Sequence, residues 1–377
     1  MAVVAVTRER RAGETRVATT PEAVKKLIAL GLSVTIETSA GVSASALDAD
    51  YEASGATIAP DLGSTLRGAD ILLKVRAPSD EEIAHVQPGT IVVGLLNPYL
   101  ERRALGALAA SGADAYAMEF VPRTSRAQVM DALSSQANLA GYRAVIEAAE
   151  AYGRAMPMMM TAAGAIAPAK VFVMGAGVAG LQAIATARRL GAVVTATDVR
   201  PAAKEQVESL GAKFVAVEDE EFKAAETATG YAKPMSDTYQ AKQAALVAEH
   251  IKKQDIVITT ALIPGRAAPR LVSEAQVLSM KPGSVLVDLA VDQGGNVAGA
   301  RPDEVVTLGG ARIVGIGNMA GRIPADASSL YARNLAAFVA LLVDKSGAIA
   351  QDMEDDILAA SRVTHGGAIT HPNLQAV

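Results

Sequence analysis

The chain has 377 residues and a formal net charge of −5; half of the residues are apolar, yet aromatics make up only 3% and Trp and Cys are absent. That length exceeds one small core and calls for two domains, filled by the Ala, Val, Leu and Ile typical of α/β sheets and their covering helices. The lack of Cys excludes disulfides, thiol nucleophiles and Cys-ligated metals, and the lack of basic blocks argues against a nucleic-acid partner. His85, His250, His365 and His371 are scattered without the spacing of a zinc site, so no metal is expected. The start, MAVVAVTRERR, puts a short apolar run before its charges, unlike a signal peptide. No stretch approaches the ~20 apolar residues of a membrane span, so the chain reads as soluble and cytosolic.

The first third alternates strand and helix. AVVAV is a short buried strand. Thr20-Pro21 supplies an N-cap and first-turn proline for the helix EAVKKLIAL, which Gly31 stops. LSVTIE, ILLKV, TIVVGLL and ADAYAMEF follow as strands, with ERRALGALAASG a helix before the last. Strands spaced by helices imply a parallel, doubly wound α/β sheet. Its first crossover, TRERRAGETRVATT, carries no glycine fingerprint, so this domain is not an ordinary dinucleotide binder.

Next comes RTSRAQVMDALSSQANLAGY, which crowds Arg123, Arg126, Gln128, Asp131, Ser134 and Ser135 ahead of an amphipathic helix marked by Leu139, Tyr142, Val145, Ile146 and Ala149. By composition alone a solvated loop accounts for it. MPMMMTAAGAIAP mixes Met, Ala, Gly and Pro without a period. It reads as a linker and packed entry to a second domain, its three adjacent Met serving as irregular core filler.

The second domain opens with KVFVM, a strand, followed by GAGVAG, which fits G-x-G-x-x-G at Gly175, Gly177 and Gly180. LQAIATARRLG is a helix closed by Gly191, and VVTATD a second strand ending at Asp198. Gly175 permits the tight turn, Gly177 lets backbone approach a pyrophosphate, and Gly180 lets helix pack on strand. The helix N-terminus then faces the diphosphate charge. Asp198 suits a ribose 2′- or 3′-hydroxyl and disfavours a 2′-phosphate, pointing to NAD(H). Arg200, two residues on, is able to pair with such a phosphate and so keeps NADP(H) open at this level.

AKFVAV, DIVITTALIPG, SVLVDLA and ARIVGIGN continue this sheet. A long polar stretch at about 218–245 interrupts it, with Gly230, Tyr231 and Met235 near its centre. A lid over a ligand and a disordered insertion both fit. After Gly317, NMAGRIPADASSLYARNLAAFVALLVD forms an amphipathic helix that crosses back to the first domain. The expected organisation is two Rossmann-like domains joined by long helices: 1–133 with 326–377, and an inserted dinucleotide-binding domain at 134–325.

RTSRAQVMDALSSQANLAGYRA, PMMMTAAG, GVAGLQAIATARRLGA, TDVR, KEQVESLGAKF, GYAK, ITTALIPG and MKPGSV together resemble the soluble NAD(H)-binding component of proton-translocating nicotinamide nucleotide transhydrogenases. The resemblance spans essentially the whole chain. ERRAGETRVATTP and ILLKV are similar, more distantly, to alanine dehydrogenases. The resemblance implies that Arg123, Gln128, Asp131 and Ser134 contact the nicotinamide and its ribose, with Ser125 and Arg126 beside them and Asp131 orienting Arg123 through a charge-assisted bond. It further implies cofactor contacts from Val178 and Ala179 on the glycine turn, from Asp198, Val199 and Arg200 at the adenosine ribose, from Gly230 and Tyr231 on a lid, and from Gln243, Ala261 and Leu262. The cofactor would be NAD(H), with NADP(H) on a partner subunit. A homodimer, a membrane-spanning subunit and an NADP(H)-binding subunit are the implied partners, which would hold the chain at the cytoplasmic face of an inner membrane. Hydride transfer then needs placement by the protein and no general base.

Two other readings use the same residues. An alanine dehydrogenase would bind its substrate carboxylate at Arg16 and Lys74, but its catalytic His falls where this chain has Asn97, which cannot shuttle a proton near neutrality. A non-catalytic NAD sensor would explain the glycine turn and leave the polar stretch without a role.

Overall fold

Val4, Ala5 and Val6 are wholly buried, as are Ile71, Leu72 and Leu73 and then Ile91, Val92 and Val93. Uninterrupted apolar runs of this kind bury both faces of a strand, as a parallel sheet covered by helices requires. The computed structural model describes residues 1–224, 235–263 and 265–375. They fall into two units, Met1–Gln136 with Ala320–Val377, and Ala137–Met319.

In the first unit, β1 (Val3–Val6), β2 (Ser33–Glu37), β3 (Thr57–Ala59), β4 (Ile71–Arg76), β5 (Ile91–Leu95) and β6 (Asp114–Ala117) form one sheet in the order β3-β2-β1-β4-β5-β6. Every pairing in it is parallel. Thr20 caps the helix Pro21–Ala29 by accepting from the Ala23 N–H. Strand β3 escaped the sequence patterns because three residues at a sheet edge are too few to display a period. Pairing of β4 with β5 shifts register between Leu73 and Arg76. A hydroxyl fills that gap: Tyr331, on the helix Pro324–Val339, donates to the Lys74 carbonyl at 2.7 Å and accepts from the Leu95 N–H at 3.0 Å.

In the second unit a hairpin, β7 (Met159–Thr161) and β8 (Gly164–Ile166), precedes the main sheet, and its every strand residue is exposed. The expected core role of the adjacent methionines is therefore wrong. Met158 is 62% and Met160 82% exposed, because the hairpin offers no second layer to cover them. Its main sheet runs β11-β10-β9-β12-β13-β15-β14. The strands are β9 (Lys170–Met174), β10 (Val193–Thr197), β11 (Lys213–Phe214), β12 (Ile256–Thr259), β13 (Val285–Asp288), β14 (Glu304–Leu308) and β15 (Ala311–Gly315). The sheet is parallel as expected, with one addition at its edge. There β14 returns antiparallel to β15 through Gly309-Gly310, both at positive φ, the requirement of a two-residue primed turn.

Two expected boundaries also move. The long helix is Ala132–Tyr152, so it starts inside the polar stretch and not behind it. Within 218–245, residues 220–223 are helical, and a 15-residue helix, Asp237–Ile251, begins at a Ser236 cap.

Candidate functional site

The dinucleotide half is built at the C-terminal ends of β9 and β10. Gly175 adopts φ +105, and a Cβ there would lie 2.4 Å from the Thr260 hydroxyl. A Cβ at Gly180 would lie 1.8 Å from the Gly175 carbonyl oxygen, so helix and strand touch backbone to backbone. Gly177 differs: it has φ −77, and a Cβ there would meet nothing within 4 Å. Neither strain nor packing among the described residues explains that glycine, whose open face leaves room for something outside the chain to approach the backbone. Gly177 is the N-cap of the helix Val178–Arg189 and supplies no side-chain cap. The first-turn N–H groups therefore suit an anion. These features fit the diphosphate of a dinucleotide.

Asp198 is built into the same turn. Its Oδ2 accepts from the Ala176 N–H at 2.7 Å, and its Oδ1 from the Arg200 N–H at 2.9 Å. The Arg200 guanidinium folds back onto both carboxylate oxygens and onto the Ala176 carbonyl. This bears on the ambiguity left by Arg200, whose cation is paired with the Asp198 carboxylate. Val178 and Val199 are exposed beside the turn, and Ala179 half-buried.

Gln243 donates to the Thr197 hydroxyl at 3.1 Å and accepts from the Val217 N–H at 2.9 Å, tying the helix Asp237–Ile251 to the end of β10. Past β12, Leu262 and Ile263 stand exposed. Asn296 fixes that segment, accepting from the Ala261 N–H at 3.1 Å while donating to the carbonyls of Ala261 and Pro269. Sequence patterns gave no hint of Asn296, since a buried amide follows no period. Gly230 and Tyr231 lie outside the described residues.

The polar stretch belongs to the first unit and is pinned by small apolar anchors. Ala127, Met130 and Ala132 are buried, while Arg123, Ser125 and Arg126 before them and Gln128 and Val129 among them are exposed. Asn334 donates to the Val129 carbonyl at 2.8 Å and accepts from the Ser135 hydroxyl at 2.8 Å, tying the stretch to the helix Pro324–Val339. Arg126 is held by Asp355, at 2.5 and 3.0 Å, and by Asp356. Asp131 does not orient Arg123 as expected. Its two oxygens take the Ser134 N–H at 2.8 Å and hydroxyl at 2.6 Å, which makes it the cap of the long helix.

The first unit also holds a buried ionic cluster. Lys74 is 1% exposed and sits 2.7 Å from Glu82 and 3.2 Å from Glu9. Arg16 is gripped by Glu14 through Nη2 at 2.6 Å and Nε at 2.7 Å, and donates to Gln136 at 2.8 Å. Burial opposes ionisation of Glu14, yet Arg16 and Arg76 outweigh it and hold that carboxyl at about 2. The two cations that an alanine dehydrogenase would turn toward a substrate carboxylate are thus paired with carboxylates of the chain. Asn97 adopts φ +48, and its N–H donates to Glu119 at 2.6 Å. Burial pushes the Glu119 carboxyl up to about 7 against the lowering effect of the Asn97 and Leu96 N–H groups and of Arg76. Among the described residues no cluster of three or more metal-ligating side chains occurs, and no helix is long and apolar enough to cross a membrane.

Family models described as alanine dehydrogenase/PNT, N-terminal domain, and alanine dehydrogenase/PNT, C-terminal domain, match residues 5–140 and 144–372. The chain is 52% identical to the first part of NAD(P) transhydrogenase subunit alpha of Rhodospirillum rubrum, covering 98% of each. The crystal structure of a transhydrogenase from Sinorhizobium meliloti aligns with a TM-score of 0.90 at 55% identity, over 98% of this chain and 100% of that one. An alanine dehydrogenase of Halomonas elongata is 30% identical, over 98% of this chain and 94% of its own.

Proposed function

The chain belongs to the alanine dehydrogenase/PNT family, and on that premise we propose that it is the NAD(H)-binding component of a proton-translocating NAD(P) transhydrogenase. The observation that carries the proposal is Gly177, a glycine demanded by nothing among the described residues, at the bare N-terminus of a helix that follows a strand and precedes Asp198. In this reading the helix N-terminus holds the diphosphate and Asp198 the adenosine ribose. The reaction moves one hydride, with both electrons, from C4 of NADH to NADP⁺ on a partner subunit, so neither a protein base nor a metal takes part. Arg123, Gln128, Asp131 and Ser134 place the nicotinamide. Gln128 offers a carboxamide both donor and acceptor, and the buried anchors around it reduce its freedom.

The same reading makes the protein a homodimer that works with a membrane-spanning subunit, through which transfer is coupled to proton movement. The hairpin β7–β8 supports self-association. No charge occurs from residue 155 to 169, and an isolated two-stranded hairpin with exposed Met158, Met159, Met160 and Ile166 is marginal in water without a covering surface. An alanine dehydrogenase activity is disfavoured by Asn97, whose amide cannot exchange a proton with substrate.

The test is single-turnover hydride transfer after mixing the NADH-loaded chain with the NADP⁺-loaded component of a transhydrogenase. Wild type should transfer. Gln128→Asn should slow the step at least about tenfold while its NADH dissociation constant moves only a few-fold, since misplacement by about an ångström is costly to rate. Absence of transfer by the wild type, or robust reduction of pyruvate with ammonia, would overturn the proposal.

A further inference from the structure

A 21-residue helix carries a glycine at its tenth position, Gly141, although glycine inside a helix costs about 1 kcal/mol relative to alanine. Its position is not left-handed, so backbone conformation does not require it. Close approach does. A Cβ on Gly141 would lie 2.1 Å from the carbonyl oxygen of Ala179, 2.8 Å from its carbon and 2.9 Å from its Cα. Those are backbone atoms in the first turn of the helix that begins at Gly177, so no side-chain rotation relieves the contact.

Neither helix has slack to move apart. On the long helix, Ala144, Val145 and Ala148 are buried in the same core as Ala183, Ile184 and Ala187 of the other. Asn138 also donates to Gln182 at 3.3 Å, a second tie between the two helices. The first turn also packs through Gly180 against Gly175, and Gly175 against Thr260. The turn is therefore held by two close backbone contacts, one within the dinucleotide fingerprint and the other to a glycine outside it.

Resting on the reading that this turn binds the diphosphate of NAD(H), we infer that Gly141 is a positioning residue for coenzyme binding. By having no side chain, it seats the long helix on the Ala179 peptide and so sets where the first-turn N–H groups point. An added methyl must shift that peptide by about an ångström to restore ordinary contact, which misaims hydrogen bonds whose strength depends on direction. The adenosine end rests on Asp198 at the end of β10, which meets the turn at the Ala176 and Arg200 N–H groups and not at the Ala179 peptide.

The test is Gly141→Ala in the full chain, with Gly106→Ala as control. Gly106 is also inside a helix, Arg102–Ala110, but a Cβ there meets nothing within 4 Å. Dissociation constants are measured for adenosine by NMR titration, and for ADP and NADH by calorimetry. Gly141→Ala should bind adenosine within about twofold of wild type and lose at least about tenfold toward ADP and NADH, the worth of one charge-assisted hydrogen bond. Gly106→Ala should bind all three as wild type does. A loss shared equally by all three ligands, which a merely structural role predicts, overturns the inference, as does NADH affinity unchanged in Gly141→Ala. A wild-type chain that binds no dinucleotide overturns instead the reading on which the inference rests.

Discussion

Glu119 gives a pH dependence whose sign and size follow from the structure. Its Oε1 accepts from the Asn97 N–H at 2.6 Å and its Oε2 from the Leu96 N–H at 3.2 Å, holding the turn after β5 in which Asn97 takes positive φ. Tyr331 and Arg76 are its titratable neighbours, and burial dominates, raising its carboxyl from 4.5 to about 7. A carboxyl raised on folding binds its proton more tightly in the native state. Its contribution is complete below pH 4.5 and is lost as pH rises through about 7. The gap of about 2.5 pH units, at about 1.36 kcal/mol each, makes the whole effect about 3 kcal/mol. Glu119→Gln keeps the shape but does not titrate, and its NH₂ opposes one backbone N–H, costing about 1–3 kcal/mol. That penalty should therefore be about 2–3 kcal/mol smaller at pH 8 than at pH 5. Urea unfolding of each protein at both pH values, followed by pulsed hydrogen exchange in the β5 peptide, reads the first unit by itself. A penalty equal at the two pH values would show that Glu119 is ionised throughout and refute the reasoning.

Glu14 behaves oppositely: held at about 2, its contribution is present above pH 4.5 and lost as pH falls toward 2. Glu14→Gln strands Arg16 and Arg76 and should cost the first unit about 3–5 kcal/mol at pH 7, seen as a lower urea midpoint. Asp198→Asn removes the charge that disfavours a 2′-phosphate and loosens Arg200, so the preference for NADH over NADPH should shrink at least about tenfold in fluorescence titrations. An unchanged preference would remove Asp198 from the ribose site. Replacing both Met158 and Met160 by Ser should shift the chain from dimer toward monomer in light scattering, with each unit's unfolding unaltered, because neither side chain belongs to a core.

The sequence by itself determined what depends on neighbours along the chain. Strand, glycine turn, helix and acidic strand end are one contiguous motif, so the dinucleotide half was legible from residue 170 to residue 198. Short apolar runs such as ILLKV and TIVVGLL were legible as strands, and their alternation with helices announced a parallel sheet, since a crossover helix must carry the chain back between parallel neighbours. Local chemistry failed where the deciding contact came from far away. Asp131 looked like a partner for Arg123, but the helix start three residues on claims both its oxygens. Three methionines looked like core filler, and only the path of the chain shows that no second layer covers them. Glu119 and Asn296 are ordinary letters until strands distant in sequence deliver unpaired backbone groups to their side chains. Gly141 is the sharpest case. Propensity marks it as a weak point in a helix, and the reason for it is a carbonyl 38 residues away in the chain, brought within reach only when two helices pack. Periodicity records which face of an element is buried; it holds no information about which distant atom that face will meet.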